Sequence, residues 1–590
     1  MGYDYLLVHL KYTIPPAILL TLVTRPLLTL LDVYKIIFLI LVALISTIPW
    51  DSYLIRAGIW TYPASVILGP TLFDIPAEEI FFFVIQTYST SLLYILLSKP
   101  VFFPVYLPGR QDRDRERGIL LLSWRTLGQV VLVCTFAASC GLIYRGGRGT
   151  YLGLIIAWAV PFLLLLWSLG YQFILRLSLL NTLVPVLVPT FYLWIIDTIE
   201  LKRGTWVIES GTKLDLTLWT GLEIEEATFF LITNTMIVFG LIAFDTAETI
   251  LETFPSLFPN VGKVPSPTEL VKALTTPTSV YDQSRINGLL AASRVLKKHS
   301  RSFHIASCVF PGRLRIDLII LYAICRIADD LIDSAASHAE AEHWISSLKL
   351  YFELSFNNEP SSKAALKDFV SSTFPAPVQS TLLLLPRDVL SELPFYELLH
   401  GFEIDSSFSK GRGSWPIRTD AELDVYAQCV AGSVGELCLQ LVFSHSTFHG
   451  SEKDKSRLIE AGRKMGTALQ FINIARDIRT DAYIGRVYIP TSWLKEAQLR
   501  PFDVLENPDH ACMKILRRKL IMEGLERYYE SRHAIEELPA ETRGPVRVAV
   551  ESYVEIGRVL LESDGKLRAG KATVPFLRRL KVVCRSLVWS

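Results

Sequence analysis

A chain of 590 residues is too long for one ordinary domain, so two or more are expected. A formal net charge of +1 gives no electrostatic reason to bind nucleic acid, which is excluded as a partner. Hydrophobic residues make up 51% of the chain and mean hydropathy is +0.35, a value that points away from a purely soluble protein and toward membrane spans. The eight cysteines include no CxxC pair and no Cys/His ligand spacing, so they read as reduced, packed side chains.

The apolar excess ends near Asp245. Before it, stretches of roughly 20 apolar residues fall at about 5–24, 33–50, 76–97, 119–140, 151–168, 172–196 and 219–243. The first run is followed by six more, so it is not read as a cleavable signal. These spans repeat. Tyr5, Pro15, Asp51 and Trp60 recur 146 positions later as Tyr151, Pro161, Asp197 and Trp206. After one inserted residue, IPAEEIFFFVIQT (from Ile75) is answered by IEEATFFLITN (from Ile224), which aligns Glu78 and Glu79 with Glu225 and Glu226. Each unit is three helices, one helix links the copies, and an even offset of four spans makes the repeats parallel. They are predicted to pack about a pseudo-twofold axis with the acidic pairs close together.

Ionisable residues at the mouths of apolar helices are functional candidates by default. The bland alternative is a helix end where the carboxylates touch water, and Pro76 at a helix start favours it. Two close carboxyls in an apolar pocket do not both ionise easily, so one can give a proton to an alkene while its partner takes one back. That is the chemistry of a redox-neutral polyene cyclisation. Gln86 and Asn234, one or two turns further along, are expected to hydrogen-bond the acids and contact substrate. The basic run RQDRDRER (Arg110 to Arg117) places its loop, and with it the second half, on the cytosolic side; Arg145, Arg148, Lys202 and Arg203 fall on the other side and dilute the rule.

Residues 246–284 carry Pro255, Pro259, Pro265, Pro267 and Pro277 among Ser and Thr and read as a tether between a membrane domain (1–245) and a second domain (285–590). In the second domain helical periodicity dominates, predicting an all-α bundle with a central cavity. Tyr322, Arg326, Asp329 and Asp333 fall at i, i+4, i+7 and i+11, with Asp330 beside them; Gln470, Asn473, Asp477 and Asp481 fall at i, i+3, i+7 and i+11. Each set is one stripe on a helix. Two such helices face to face make a cavity with acid on both walls, suited to Mg²⁺, or Mn²⁺ in its place. Residues 355–376 look like an exposed insertion. The small residues of AGSVGE (Ala431 to Glu436) fit either a polyprenyl chain against the backbone or ordinary helix packing. The ending FLRRLKVVCRSLVWS is short and basic and cannot span a bilayer. No GxGxxG follows a strand, which disfavours a flavin or nicotinamide site.

HSRSF (His299 to Phe303), YAICRIADDLID, QFINIARDIRTD and GRVYIP (Gly485 to Pro490) together resemble the squalene and phytoene synthase family, over about residues 285–590. The resemblance implies that His299, Ser300, Arg301, Ser302, Tyr322 and Arg326 line the diphosphate and substrate channel. It implies that Asp329, Asp330, Asp333, Asn473, Asp477 and Asp481 hold Mg²⁺, that Asp329, Asp333 and Asp477 are catalytic, and that Gln470 and Arg476 contact substrate. The reaction implied is head-to-head condensation of two allylic diphosphates through a cyclopropyl intermediate. Squalene formation then needs NADPH; phytoene formation needs no reductant and fits better.

The first half resembles the fungal and archaeal membrane lycopene cyclase family over about residues 1–240, which implies Glu78, Glu79, Glu225 and Glu226 as catalytic acids with no cofactor. The whole chain is similar to the bifunctional lycopene cyclase/phytoene synthases of filamentous fungi. That implies geranylgeranyl diphosphate and lycopene or related carotenes as substrates and γ- or β-carotene as product. The bilayer and a separate phytoene desaturase are the partners implied, because no flavin site is visible. The rival reading is a squalene or dehydrosqualene-type synthase carried by a non-catalytic membrane scaffold.

Overall fold

Among the described residues up to position 253 of the computed structural model, seven helices are long and apolar enough to cross a membrane. They are α1 (Asp4–Leu27), α2 (Leu30–Arg56), α3 (Ala77–Ser98), α4 (Leu120–Arg145), α5 (Thr150–Arg176), α6 (Val184–Arg203) and α7 (Ile224–Thr253). Each overlaps one of the seven predicted spans, although the sixth, predicted at 172–196, begins within α5 and runs into α6, which starts only at Val184. The structure describes residues 2–108, 120–209, 211–357, 359, 361–408, 414–562 and 574–588; the basic run from Arg110 to Arg117 lies outside them. The chain divides into two compact units, Met1–Ile286 and Asn287–Ser590.

Helices suit these segments because every backbone polar group is satisfied within the span, which hydrocarbon demands. Large apolar side chains such as Leu19, Leu22, Ile45 and Leu165 remain more than half exposed, as lipid-facing residues would. Pro49, Pro161 and Pro189 lie inside helices, and a π-helical turn at His9–Thr13 precedes Pro15 and Pro16 in α1.

The pseudo-twofold axis is visible in the pairing. Trp60–Thr61 forms an antiparallel ribbon with Val207–Ile208, with Thr61 directly opposite Val207, its own counterpart 146 positions on. A residue can face its repeat mate in an antiparallel pair only on a local twofold axis. Deeper in the unit, Gln86 Nε2 donates to Thr233 Oγ1 at 2.9 Å, again across repeat mates, now 147 apart because of the inserted residue. Toward the opposite ends of the helices, Lys35 is buried against Asp245 and 3.3 Å from Glu248, and Tyr94 donates to Asp245 at 2.6 Å. Pairing of this kind is what keeps a buried charge tolerable.

The segment read as a tether is folded. α8 (Pro267–Thr275) starts with a Ser266/Glu269 capping box and packs on α7. Phe254, Phe258, Leu270, Tyr281 and Ile286 are buried in the same core as Tyr94 and Leu241, and Phe254 stacks on Tyr281 at 4.7 Å. Proline frequency marked the breaks between these turns, while the apolar residues between the prolines set the packing.

The second unit is helical: α9 (Gln283–His299), α10 (Arg301–Ser307), α11 (Gly312–Asp333), α12 (His338–Phe356), α13 (Ser362–Thr373), α14 (Leu393–Ser406), α15 (Asp420–His445), α16 (Glu452–Ile484), α17 (Ala511–Ser531), α18 (Ala540–Glu562) and α19 (Phe576–Val588), with short helical turns between. The 355–376 region is not a loose insertion, since α13 buries Leu366 and Val370 against α12 and Phe374 follows them inward. α15 is also long and apolar enough to span a membrane, but its apolar side belongs to this unit's cavity and core. Glycines on both helices set how closely it meets α16. A Cβ at Gly435 would lie 2.5 Å from the Gly462 carbonyl oxygen, and one at Gly466 2.2 Å from that of Ala431. Helix packing therefore explains AGSVGE, and because Ala431 and Gly435 also line the cavity, the close backbone is presented to whatever fills it.

Candidate active sites

The second unit encloses a cavity of about 1050 Å³. α11 forms one wall and presents Tyr322, Arg326, Asp329 and Asp333; α16 forms the facing wall with Gln470, Asn473, Arg476, Asp477 and Asp481. His299, Ser300, Arg301 and Ser302 line the same space where α9 gives way to α10, with the Ser300 hydroxyl capping α10 at the Phe303 N–H (3.3 Å). All but one of the residues predicted for this half thus share one cavity. The exception is Asp330, which is not among the lining residues; it is bound by Arg326 and lies 3.9 Å from His299. Three consecutive turns of helix carry the stripe inward, and Asp330, one residue on from Asp329, is rotated off it by about 100°.

The acids are answered by arginines. Arg326 reaches Asp329 at 2.8 Å and Arg486 reaches Asp333 at 2.7 Å. Arg476 donates to Asp477 at 2.8 Å, to Asn473, and to the Tyr553 hydroxyl at 3.3 Å, while Tyr553 itself donates to Asn473 at 2.8 Å. Burial together with neighbouring carboxylates pushes Asp329 up to about 7, with Asp333 the main neighbour, and Asp481 up to about 8, with Asp477 the main neighbour. Sequence reasoning missed three further contributors. Asp405 of α14 is buried and accepts from Tyr488 at 2.7 Å and Tyr426 at 3.2 Å; burial raises it to about 6 against the pull of Arg486. The GRVYIP segment supplies both Arg486 and Tyr488. The left-handed Gly485 (φ 87°) ends α16 and turns the chain back so that they point inward.

This donor set of carboxylate and amide oxygens, without thiolate, suits a hard cation. Among the described residues no group of three or more histidine, cysteine, aspartate or glutamate side chains is placed to hold a metal ion by itself. An ion shared with substrate phosphates needs none, because part of its ligand shell comes from the phosphates.

In the first unit the four glutamates are buried, with 7% exposure or less, so they do not sit at a water-touching helix end. Their partners repeat as the sequence does. Glu78 accepts the Leu68 N–H at 2.7 Å and Glu225 accepts the Leu214 N–H at 2.7 Å, positions 146 apart. Glu79 accepts the phenol of Tyr5, and Glu226 that of Tyr151 at 2.7 Å. One departure from symmetry is a second phenol on Glu79, from Tyr62 at 2.7 Å; the equivalent position is Ile208. Asp51 and Asp197, the other repeated acids, lie within electrostatic range of Glu79, as does Glu226. One oxygen each of Asp51, Glu78, Asp197, Glu225 and Glu226 is buried without a hydrogen-bond partner. Unpaired buried carboxyl oxygens in this number are costly.

Gln86 and Asn234 do not serve the acids. Gln86 donates to Thr233 and, at 3.3 Å, to Asn234, which in turn accepts from Thr90 at 2.9 Å and donates to Thr190 at 3.0 Å. They share the glutamates' helix face, but seven or eight residues at 1.5 Å each place them about 10–12 Å further along. They tie the two repeats together.

Aspartate stripes on two helices, backed by arginines, thus line one largely apolar cavity, and the chain joins them to a unit of long apolar helices that buries a second set of carboxyls. The profile of the squalene/phytoene synthase family matches residues 296–578. Bifunctional lycopene cyclase/phytoene synthases from Pyrenophora tritici-repentis and Phaeosphaeria nodorum are 52% and 50% identical to the chain, each over 100% of it and over 100% and 99% of their own lengths. That from Gibberella fujikuroi is 49% identical over 100% of both chains. Among solved structures, a dehydrosqualene synthase in complex with ligand is 23% identical, covers 51% of this chain and 95% of its own, and gives a TM-score of 0.39. The chain belongs to the bifunctional lycopene cyclase/phytoene synthases of carotenoid biosynthesis, with both activities on one polypeptide.

Proposed function

We propose that the second unit condenses two geranylgeranyl diphosphates head to head to phytoene, and that the first unit isomerises the acyclic ends of lycopene to β-rings. For the synthase, the observation that carries the reading is the pair of arginine-backed aspartate stripes facing each other across one apolar cavity. Asp329, Asp333, Asn473, Asp477 and Asp481 are the residues that would hold Mg²⁺, which when bound neutralises the leaving diphosphate. Arg326, Arg476 and Arg486 orient the diphosphates and Tyr322 and Tyr553 stand at the cavity wall. The apolar lining keeps water from the allylic cation. Two C20 chains join, two diphosphates and two protons leave, and no reductant is consumed. Asp330 acts through Arg326 as a positioning residue.

For the cyclase, the carrying observation is the set of repeat-related buried carboxyls with unpaired oxygens. Glu79 and Glu226, held by phenols beside Asp51 and Asp197, give a proton to the terminal alkene and take one back after ring closure. Glu78 and Glu225 hold the Leu68 and Leu214 loops over them. Trp50, Trp158 and Phe229, stacked 4.7–6.4 Å apart, offer π-faces to the intermediate cation. Proton gain and loss cancel, so product and substrate are isomers and no cofactor enters. Cyclisation in D₂O should place one solvent deuteron in each ring formed, and Glu79→Gln with Glu226→Gln should stop ring formation while lycopene still binds. A ring closed without solvent deuterium contradicts the acid mechanism. We place the protein in a membrane as a multi-pass chain, with the synthase on the cytosolic side that the basic run at 110–117 favours. Glu226 and Thr253 sit at opposite ends of α7, so the acids lie toward the other face.

A further inference from the structure

The last helix turns its apolar side outward. In α19 the exposed residues are 576, 577, 580, 581, 584, 585 and 588, one continuous stripe at helical spacing. Five of them are Phe576, Leu577, Leu580, Cys584 and Val588; the other two are Lys581 and Arg585. Phe576 is 75% exposed, Leu577 77%, Leu580 49% and Val588 60%. An ordinary surface helix buries such a stripe and exposes its charges. Here arginine lies on the inner side. Arg578 pairs with Glu555 and with Glu562 (2.8 Å), Arg579 donates to the Val574 carbonyl at 3.2 Å, and Arg547 of α18 holds the Ser586 carbonyl at 2.8 Å. These contacts fix the rotation of the helix, so the outward apolar stripe is set by the fold. Val574 and Arg579 also line the synthase cavity, which brings the helix to the cavity's rim.

Thirteen residues span about 20 Å, too short to cross about 30 Å of hydrocarbon but suited to lying in the interfacial plane. Lys581 and Arg585 within the stripe complement anionic headgroups, and a chain with seven membrane-crossing helices always has a bilayer at hand. We propose that α19 is an interfacial helix that lays this stripe into the surface of an anionic bilayer and so holds the rim of the synthase cavity against lipid.

The stripe carries its own probe, Cys584, which is exposed. The full chain, with the other exposed cysteines changed (Cys134→Ser, Cys140→Ser), is labelled at Cys584 with an environment-sensitive fluorophore. It is then placed in phosphatidylcholine nanodiscs with and without phosphatidylglycerol. The proposal predicts a blue-shifted emission that nitroxide-bearing lipids quench, stronger with phosphatidylglycerol and weakened by salt. Emission as in water, indifferent to nitroxide lipids, overturns it. A blue shift that nitroxide lipids do not quench also overturns it, because protein and not lipid then covers the helix. As a second arm, Leu577→Glu with Leu580→Glu should abolish the shift and the quenching in nanodiscs while phytoene formation in detergent is kept; persistence of both signals excludes the stripe as the docking surface.

Discussion

Asp405 offers a test of the synthase cavity in which the sign is fixed by the structure. It is buried, it accepts two phenols, and burial raises it from 3.8 to about 6. Because the folded value lies above the unfolded one, the protonated carboxyl favours the fold. Its contribution is fully present below about pH 4 and is lost as pH rises through about 6. The gap is worth about 3 kcal/mol at 1.36 kcal/mol per pKa unit. Asp405→Asn keeps an acceptor for Tyr488 and carries no charge to bury, so in metal-free protein it should stabilise by about 3 kcal/mol at pH 7.5 and by only about 1 kcal/mol at pH 4.5. Thermal unfolding of the second unit's helices, followed by circular dichroism on full-length protein in detergent, compares variant and parent at each pH. Asp329 and Asp481 titrate in both chains, and in the variant each is also relieved of the Asp405 charge that raises it, which adds to the gain at pH 7.5. A stability difference that is the same at both pH values refutes the reasoning, because it shows that Asp405 is not the group whose charge is being buried.

Two further outcomes follow from the same cavity. Arg486→Met removes the cation facing Asp333, Asp405 and Asp481; loss of one charge-assisted contact of about 1.5–3 kcal/mol lowers phytoene synthase kcat/KM by about 10–100-fold. The acid limb of its pH profile moves to higher pH as Asp405 and Asp481 rise without the pull of Arg486, and Arg486→Lys restores part of the loss; an unmoved pH profile contradicts the role given to Arg486. Chelation of divalent cations should stop phytoene formation and leave lycopene cyclisation untouched, which product analysis on one preparation reads directly.

What the sequence made legible was what a single element encodes. The stripes from Tyr322 to Asp333 and from Gln470 to Asp481 are each written on one helix, so spacing alone places them on a common wall. The membrane repeat was legible because equivalent residues return at a fixed offset, and the Thr61–Val207 pair shows that offset becoming an axis. Asp405, Tyr426 and Arg486 were not legible, because they come from three elements and meet only in the fold. Gln86 and Asn234 show the limit of a face argument. Angular position was right, but the rise along the helix carried them beyond reach of the glutamates. Composition alone marked 246–284 as a tether, and burial of Phe254, Phe258 and Tyr281 overrode it.

The central claim is that two independent sites, one on each unit, share the chain. Pigment analysis in a carotenoid-free bacterium supplied with geranylgeranyl diphosphate synthase and a desaturase tests it most directly. The full chain should give cyclic carotenes, Glu79→Gln with Glu226→Gln should stop at lycopene, and Asp329→Asn with Asp477→Asn should give no colour yet still cyclise lycopene made by a separate phytoene synthase. If the aspartate variant also loses cyclisation of supplied lycopene, or the glutamate variant loses phytoene, the two sites are not independent and the account fails.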